Sequence, residues 1–173
     1  MRRVSIIQGE SFVSGEPNVV ISTLLGSCVS VCLQDPVGRV GGMNHFLLGE
    51  PGKDDHVNSR DMARYGVHAM ELLINELMRR GGVRSRFRAH LYGGANIVAG
   101  LGSIGSSNAD FARRFMETEG IAIGHCDLGG THARKVEFVP YEGKARSRAV
   151  AEIPKLITPP ALPMSNDGDL ELF

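Results

Sequence analysis

Cys28 and His45 are the two residues whose types and spacing best suit covalent chemistry in this chain of 173 residues. Cys28 follows Gly26 and Ser27, and a turn at Gly26 allows backbone N–H groups to converge on an oxyanion. An imidazole beside a cysteine can take the thiol proton and form a thiolate–imidazolium pair, which activates the sulfur as a nucleophile. The two residues are therefore candidates for nucleophilic catalysis, although their spacing alone favours a plain core position.

A turn between these two residues gives them a reason to meet. The tetrapeptide Asp-Pro-Val-Gly at residues 35–38 suits a tight turn, because Pro36 presets its own φ angle. Apolar stretches on both sides predict a β-hairpin in which Cys28 opens the first strand and His45 closes the second. A hairpin places such strand ends side by side.

Metal or redox chemistry is the alternative use of these side chains. Cys28, Cys32, His45, His125 and Cys126 offer zinc ligands, but Cys-x-x-x-Cys is looser than a usual zinc knuckle and no second cysteine pair answers it. On a regular strand Cys28 and Cys32 point to one face, at a separation that disfavours a disulfide. We therefore predict that Cys32 is a buried apolar residue, and we expect neither a metal nor an organic cofactor.

A glycine-rich segment around residues 93–107 resembles a phosphate-binding loop only superficially. Its "GLGSIG" matches Gly-x-Gly-x-x-Gly, yet the segment lacks the lysine of a P-loop. No acidic residue follows at the expected distance within a clear βαβ unit. The pattern does not predict a dinucleotide site.

The remaining pattern predicts two or three helices among many strands. Apolar residues recur at helical spacing between Ser59, a plausible N-cap, and the stop at Gly81-Gly82. A second helix is predicted from about 109 to 119, ended by Gly120. This mixture predicts an α+β domain. Further strand candidates are "FRAHLYGG", "IAIGHCDLG", "RKVEFVP" and "SRAVAEI".

Composition limits the classes of partner and location. Nineteen basic residues balance nineteen acidic ones without a long basic run, so nucleic acid is not an expected partner. No secretory signal or membrane-spanning apolar stretch is present, so we expect no membrane insertion and a cytoplasmic location. Three unevenly spaced cysteines are expected to be reduced thiols. We predict a single domain over residues 1–157, followed by a flexible tail over 158–173.

Several motifs, in order, resemble one known family. "LLGSCVSVCLQDPVGRVGGMNHFLL" is followed by "RYGVHAMELLINELMRRG", "LYGGA", "IGSSNADFARRFMETEGIAI" and "DLGG". Together they resemble the chemoreceptor glutamine deamidases, the CheD family of bacterial chemotaxis. The resemblance covers about residues 19–140, which is most of the chain.

The resemblance implies a fold, a reaction and a third site residue. It implies a layered α/β sandwich of two packed sheets with helices against one side, and hydrolysis of selected receptor glutamines to glutamate with release of ammonia. Cys28 would be the nucleophile and His45 the base. The family's catalytic hydroxyl stands six residues before the cysteine, which is Ser22 here, with Thr23 beside it.

The resemblance also implies partners. Methyl-accepting chemoreceptors are the expected substrates, and some family members bind a CheC-type phosphatase. Because the glutamines lie on a long helical bundle, we expect a shallow groove, bordered by residues 50–60 and 100–107. The alternative function is a non-enzymatic adaptor that binds receptors or a phosphatase, with Cys28 idle.

Overall fold

The structure is a computed structural model that describes residues 1–48, 59–97 and 103–151. The predictions for the 158–173 tail, the domain boundary at 157 and most of the two groove segments lie outside these residues. Within them, no helix is long and apolar enough to cross a membrane. The strands are β1 (Arg2–Ser5), β2 (Ser11–Ser14), β3 (Val19–Leu25), β4 (Val29–Asp35), β5 (Val40–Asn44), β6 (Arg88–Gly93), β7 (Ala122–Leu128), β8 (Ala133–Val139) and β9 (Lys144–Val150), and the helices are α1 (Ser59–Arg79), the short 3₁₀ helix Arg84–Arg86 and α2 (Ile104–Glu119).

Three layers build the domain. Strands β1, β3, β8 and β9 form a four-stranded sheet in that order, and β2, β5, β4, β6 and β7 form a five-stranded sheet. Both α-helices pack against the five-stranded sheet, whose other face meets the four-stranded sheet. The predicted α+β class and the layered sandwich with helices on one side are confirmed.

The predicted hairpin is confirmed as β4 and β5. Asp35 pairs with Val40 at its closed end, and the Asp35 side chain accepts hydrogen bonds from the N–H groups of Val37 and Gly38 at 2.9 and 3.0 Å. An ion pair from Arg86 holds the same carboxylate from the side. Because the turn is anchored on a buried group, the register of the hairpin is set at this end.

Alternation along the hairpin sorts its side chains between the two cores. Val29, Val31 and Leu33 face the helices, where α1 and α2 contribute most of the other apolar side chains. Cys32 and Met43 face the four-stranded sheet. Even-numbered residues of β4 therefore face the interior of the sandwich. Cys28, just before the strand, lies on the same side.

Most predicted elements are found, with shifted ends. Helix α1 begins at Ser59 itself, and α2 begins at Ile104, five residues before the predicted start. Gly120 ends α2 in the left-handed conformation with φ of 67°. Strands β1 and β2 were not predicted, because each has only four residues and depends on pairing with β3 or β5.

Candidate active site

The turn that carries Cys28 is held by its carbonyl groups. Gly94 N–H donates to the Cys28 carbonyl at 2.8 Å, and the side-chain amide of Asn108 donates to the Ser27 carbonyl at 2.8 Å. In a trans peptide the C=O and the following N–H point in opposite directions, so the Cys28 N–H points away from Asn108. This N–H also lies near enough to the Cys28 thiol to favour a lower pKa of the sulfur. The turn can therefore present an N–H donor on the side of the sulfur.

Gly93 allows the strand beneath this turn to approach closely. It has φ of 108°, and a Cβ there would lie 2.1 Å from the Cys28 carbonyl oxygen. A side chain at this position would push the Cys28 turn out of place. The glycine of the "LYGG" motif is thus needed for the position of the thiol.

His45 lies just beyond β5 on the same face as Cys28. The register Cys32↔Met43 continues at the bridge Val29↔Phe46, which puts His45 opposite Ser30 and diagonal to Cys28. Diagonal neighbours on one face of a sheet are roughly 7 Å apart at their backbones, within reach of an imidazole. The hairpin brings the two predicted residues together as expected.

Thr23 orients the imidazole. Its Oγ1 lies 2.7 Å from His45 Nδ1 and donates its proton to the Ile6 carbonyl at 2.7 Å. A hydroxyl has one proton, and a carbonyl only accepts, so His45 Nδ1–H must donate to Thr23 Oγ1. Nε2 then carries a free lone pair, which is the protonation state that a general base needs.

Ser22, the position that the resemblance selects for this hydroxyl, does not contact the imidazole. Neighbouring residues of a strand face opposite sides, and Ser22 Oγ lies 3.3 Å from Ser5 Oγ on the outer face of the four-stranded sheet. Thr23 faces the sandwich interior and reaches His45. The geometry therefore replaces Ser22 with Thr23 as the hydroxyl partner of the histidine.

Burial keeps the cysteine and the histidine neutral at rest. Desolvation raises the pKa of Cys28 to about 11, against a smaller lowering by its own backbone N–H. Burial lowers the pKa of His45 to about 4, although the Glu10 carboxylate acts in the opposite direction. At neutral pH the resting pair is thiol and imidazole, which differs from the thiolate–imidazolium pair that sequence reasoning expected.

The segment between β1 and β2 borders the site and was missed from the sequence. His45 accepts from Gly9 N–H at 2.8 Å and donates to the Glu10 carbonyl at 3.0 Å through its backbone. Cys28 Sγ donates to the Gln8 side-chain oxygen at 3.8 Å. No motif marks this segment, because its role depends on where β2 pairs beside β5.

Asn108 of α2 links both halves of the site and was also missed. It is fully buried; its Nδ2 donates to the Ser27 carbonyl, and its Oδ1 accepts from Leu48 N–H at 3.1 Å. One amide thus ties the cysteine turn to the segment after His45. A polar residue inside a helix was the only sequence signal, and it is meaningful only once its burial is known.

The other two cysteines are separate from this arrangement. Cys32 is fully buried in the apolar cluster between the sheets, as predicted, and burial raises the pKa of its thiol. Cys126 is exposed on β7. Over residues 1–48, 59–97 and 103–151, no three His, Cys, Asp or Glu side chains are grouped to hold a metal ion.

A cavity of about 510 Å³ borders the site on the Thr23 side. His45, Thr23 and the apolar residues Ile7 and Leu24 line it, together with Lys135. Cys28 is not among the lining residues, and its thiol contacts Gln8. Solvent-accessible space therefore reaches the imidazole from the side of the four-stranded sheet.

Comparison with known proteins finds close relatives. The family described as "CheD chemotactic sensory transduction" matches residues 47–149. A Zymomonas mobilis protein named "Probable chemoreceptor glutamine deamidase CheD" is 52% identical over 149 residues, which cover 86% of this chain and 81% of that protein. A protein of the same name from Caulobacter vibrioides is 48% identical over 176 residues, covering 99% and 93%.

A third relative of that name, from Rhizobium rhizogenes, is 48% identical over 179 residues that cover 99% of this chain and 96% of its own. Among solved structures, a Neisseria meningitidis protein of the DUF152 family aligns with 70% of this chain and 52% of its own, at 15% identity and a TM-score of 0.40. That structural similarity is too low to bear on function.

Proposed function

The chain belongs to the CheD family, and from this premise we propose that it is a chemoreceptor glutamine deamidase with Cys28 as nucleophile. The observation that carries the proposal is the hydrogen bond from His45 Nδ1 to Thr23, which leaves Nε2 unprotonated on the face where the hairpin register also places Cys28. The relatives' printed name supplies the substrate class, a glutamine side chain of a chemoreceptor.

Acylation begins from the neutral pair. The Cys28 sulfur attacks the side-chain amide carbon of the glutamine while His45 Nε2 takes the thiol proton. The carbonyl electrons move to oxygen, and the N–H groups of Ser27 and Cys28 are our candidates for stabilising that oxyanion. When the C–N bond breaks, the imidazolium returns its proton to nitrogen and ammonia leaves. A thioester of the glutamyl side chain remains on Cys28.

Hydrolysis of the thioester completes the reaction. His45 Nε2 takes a proton from water as the oxygen attacks the thioester carbon, and the C–S bond then breaks. The proton passes to the departing sulfur, and glutamate is the product. Glutamine and water thus give glutamate and ammonia, a balance that needs no oxidant or cofactor. Thr23 holds the ring in place throughout and accepts a hydrogen bond from Nδ1–H as positive charge develops on the imidazole.

Peptide mapping of a co-expressed chemoreceptor tests this function. Each modified glutamine should gain about 1 Da when the native protein is present, and none should do so with Cys28→Ala, because the thioester cannot form. Cys28→Ala should keep the native circular dichroism spectrum, since the thiol is only half-buried. Unchanged modification in this variant would exclude the mechanism.

The adaptor function is the second candidate, and the same experiment separates the two. An adaptor would bind receptors without changing their mass, and Cys28→Ala would be indistinguishable from the native protein. A CheC-type phosphatase as partner, a cytoplasmic location and a single domain over 1–157 stay predictions. Co-purification with such a phosphatase, cell fractionation and limited proteolysis test these three predictions.

A further inference from the structure

The outer face of the four-stranded sheet is not covered by the helical layer. Both helices pack on the five-stranded sheet, and the inner face of the four-stranded sheet carries Val136 and Phe138 into the core between the sheets. Alternation then turns Lys135 and Glu137 of β8 outward. The helices of the described residues therefore leave this outer face open.

Positive charge is concentrated on this face. Lys135 pairs across the strands with Arg148, and Glu137 pairs with Arg146, so their side chains share one side of the sheet. We call the surface the basic face; it has five cations and one carboxylate, and its members are Arg3, Lys135, Glu137, Lys144, Arg146 and Arg148. The whole chain has a formal net charge of zero, so this excess is regional.

Lys144 pairs with Glu142 at 2.9 Å, but the single carboxylate of Glu137 cannot neutralise the four remaining cations. Glu137 accepts hydrogen bonds from Arg146 at 2.6 Å and Arg3 at 2.9 Å, and these bonds lower its pKa. Lys135 is 3.9 Å away, at the limit of an ion pair. Arg148 makes no ion pair with any residue that the structure describes. Lys135 and Arg148 are thus the cations of the basic face that are most available to an external anion.

These two cations also connect the face to the site. Lys135 and Arg148 line the cavity of about 510 Å³ that reaches His45. Apolar side chains complete the same cavity, and two of them are notably exposed: Ile7 at 67% and Leu24 at 37%. A molecule that covers the basic face therefore lies against the imidazole side of the candidate active site.

We propose that the basic face docks a carboxylate-rich helical surface of the receptor substrate, with Lys135 and Arg148 as its principal contacts; this rests on the proposed function. Each turnover converts a neutral amide into a carboxylate, so a receptor surface with several sites becomes more acidic as it is processed. Complementary charge speeds encounter and sets orientation. The central carboxylate and the apolar rim fit a mixed protein surface better than a phosphate backbone.

Binding and turnover are measured with a purified cytoplasmic receptor fragment and with a short glutamine peptide. The variant carries Lys135→Glu and Arg148→Glu, and the control carries Arg79→Glu and Arg80→Glu at the exposed end of α1. At low salt the face variant should lose about 10- to 100-fold in kcat/KM for the fragment, mostly through KM. The peptide kcat/KM and the control should change less than about twofold, and native KM should rise with salt.

Several results would overturn the docking proposal. Equal losses on peptide and fragment would place the two residues in the catalytic machinery, and equal losses in the control would indicate a general charge effect. Tighter binding of DNA or of phosphatidylglycerol vesicles than of the fragment would assign the face to a polyanion. A several-fold gain in receptor activity on neutralising Asp167, Asp169 and Glu171 to Asn, Asn and Gln would assign it to this chain's own C-terminal segment.

Binding to a catalytically blocked protein separates this proposal from the proposed function. In a Cys28→Ala background, the receptor fragment should still bind with salt-dependent affinity that Lys135→Glu and Arg148→Glu weaken by the same 10- to 100-fold. If the native protein shows no turnover while this binding persists, the deamidase function fails and the docking surface stands. If turnover is normal and the two substitutions leave binding unchanged, the deamidase function stands and the docking proposal fails.

Discussion

The β4–β5 hairpin has two cysteines on one face in very different surroundings, Cys28 just before β4 and Cys32 within it. Cys32 lies in the middle of the hairpin opposite Met43, fully buried among apolar side chains. Cys28 lies at the open end, half-buried, with His45 diagonal to it and Thr23 beyond the ring. Burial raises the pKa of both thiols, and the Cys28 thiol also donates to the Gln8 side-chain oxygen. The difference shows that position along the hairpin, and not residue type, separates the candidate nucleophile from a core residue.

Removing each thiol in turn is the most direct test of the difference between the two cysteines. Cys28→Ala should lower receptor deamidation to background, because no thioester can form. Cys32→Ala should keep kcat within about threefold while lowering the free energy of unfolding by about 1 kcal/mol through the cavity it leaves. Ammonia release and urea unfolding measure the two effects. Loss of activity in both variants without unfolding would favour a shared redox or metal role.

Thr23 and Ser22 offer the next contrast on one strand. Thr23→Val keeps the shape but removes the acceptor for His45 Nδ1–H, so kcat should fall about 10- to 100-fold with little change in KM. Ser22→Ala on the opposite face should leave kcat within about twofold. A larger loss of kcat in Ser22→Ala than in Thr23→Val would instead identify Ser22, the residue that the resemblance selects, as the orienting hydroxyl.

Substitution of Asn108 tests whether helix α2 fixes the position of the open end of the β4–β5 hairpin. Asn108→Ala leaves the Ser27 carbonyl and the Leu48 N–H without their partner, which should lower kcat about tenfold and stability by about 2 kcal/mol. The control is Asn96→Ala, which removes an exposed amide that bonds Ser106. If stability falls while kcat is preserved, Asn108 supports the fold but does not position the cysteine turn.

The neutral state of the pair predicts a pH dependence. Because the pKa of His45 falls from its ordinary 6.5 to about 4 on folding, the unfolded chain binds more protons between these values. Neutral His45 therefore makes its full contribution to the free energy of unfolding above about pH 6.5. As pH falls toward 4, this free energy decreases by about 3 kcal/mol. In His45→Gln this part of the pH slope should disappear.

The acid side of the pH profile of kcat/KM also tests whether His45 is neutral. Activity should rise with pH through about 4 and reach a plateau, since unprotonated His45 is the base in the free enzyme. A plateau that starts only above pH 6.5 would contradict a desolvated imidazole. Initial rates of ammonia release, taken within the pH range where the protein remains folded, measure this limb.

The sequence predicted much of the hairpin and helices but only part of the site. Asp35 to Gly38 marked the turn, and alternation in β4 and β5 then placed Cys28 and His45 on one face. The helical spacing before Gly81 and Gly120 marked α1 and α2. These signals are local, because turn chemistry and periodicity act over a few neighbouring residues. Strands β1 and β2 were missed, since four residues carry too little pattern.

Tertiary structure decided which groups meet the two predicted residues. Thr23 displaced Ser22 because β3 turns one face toward the other sheet, and Asn108 joined because α2 packs beneath the cysteine turn. The protonation states of Cys28 and His45 also depend on burial, which no local pattern reports. The sequence by itself determined the candidate nucleophile, base and hairpin. Only packing between layers decided the orienting hydroxyl, the neutral resting pair and the basic face, because those depend on contacts between distant segments.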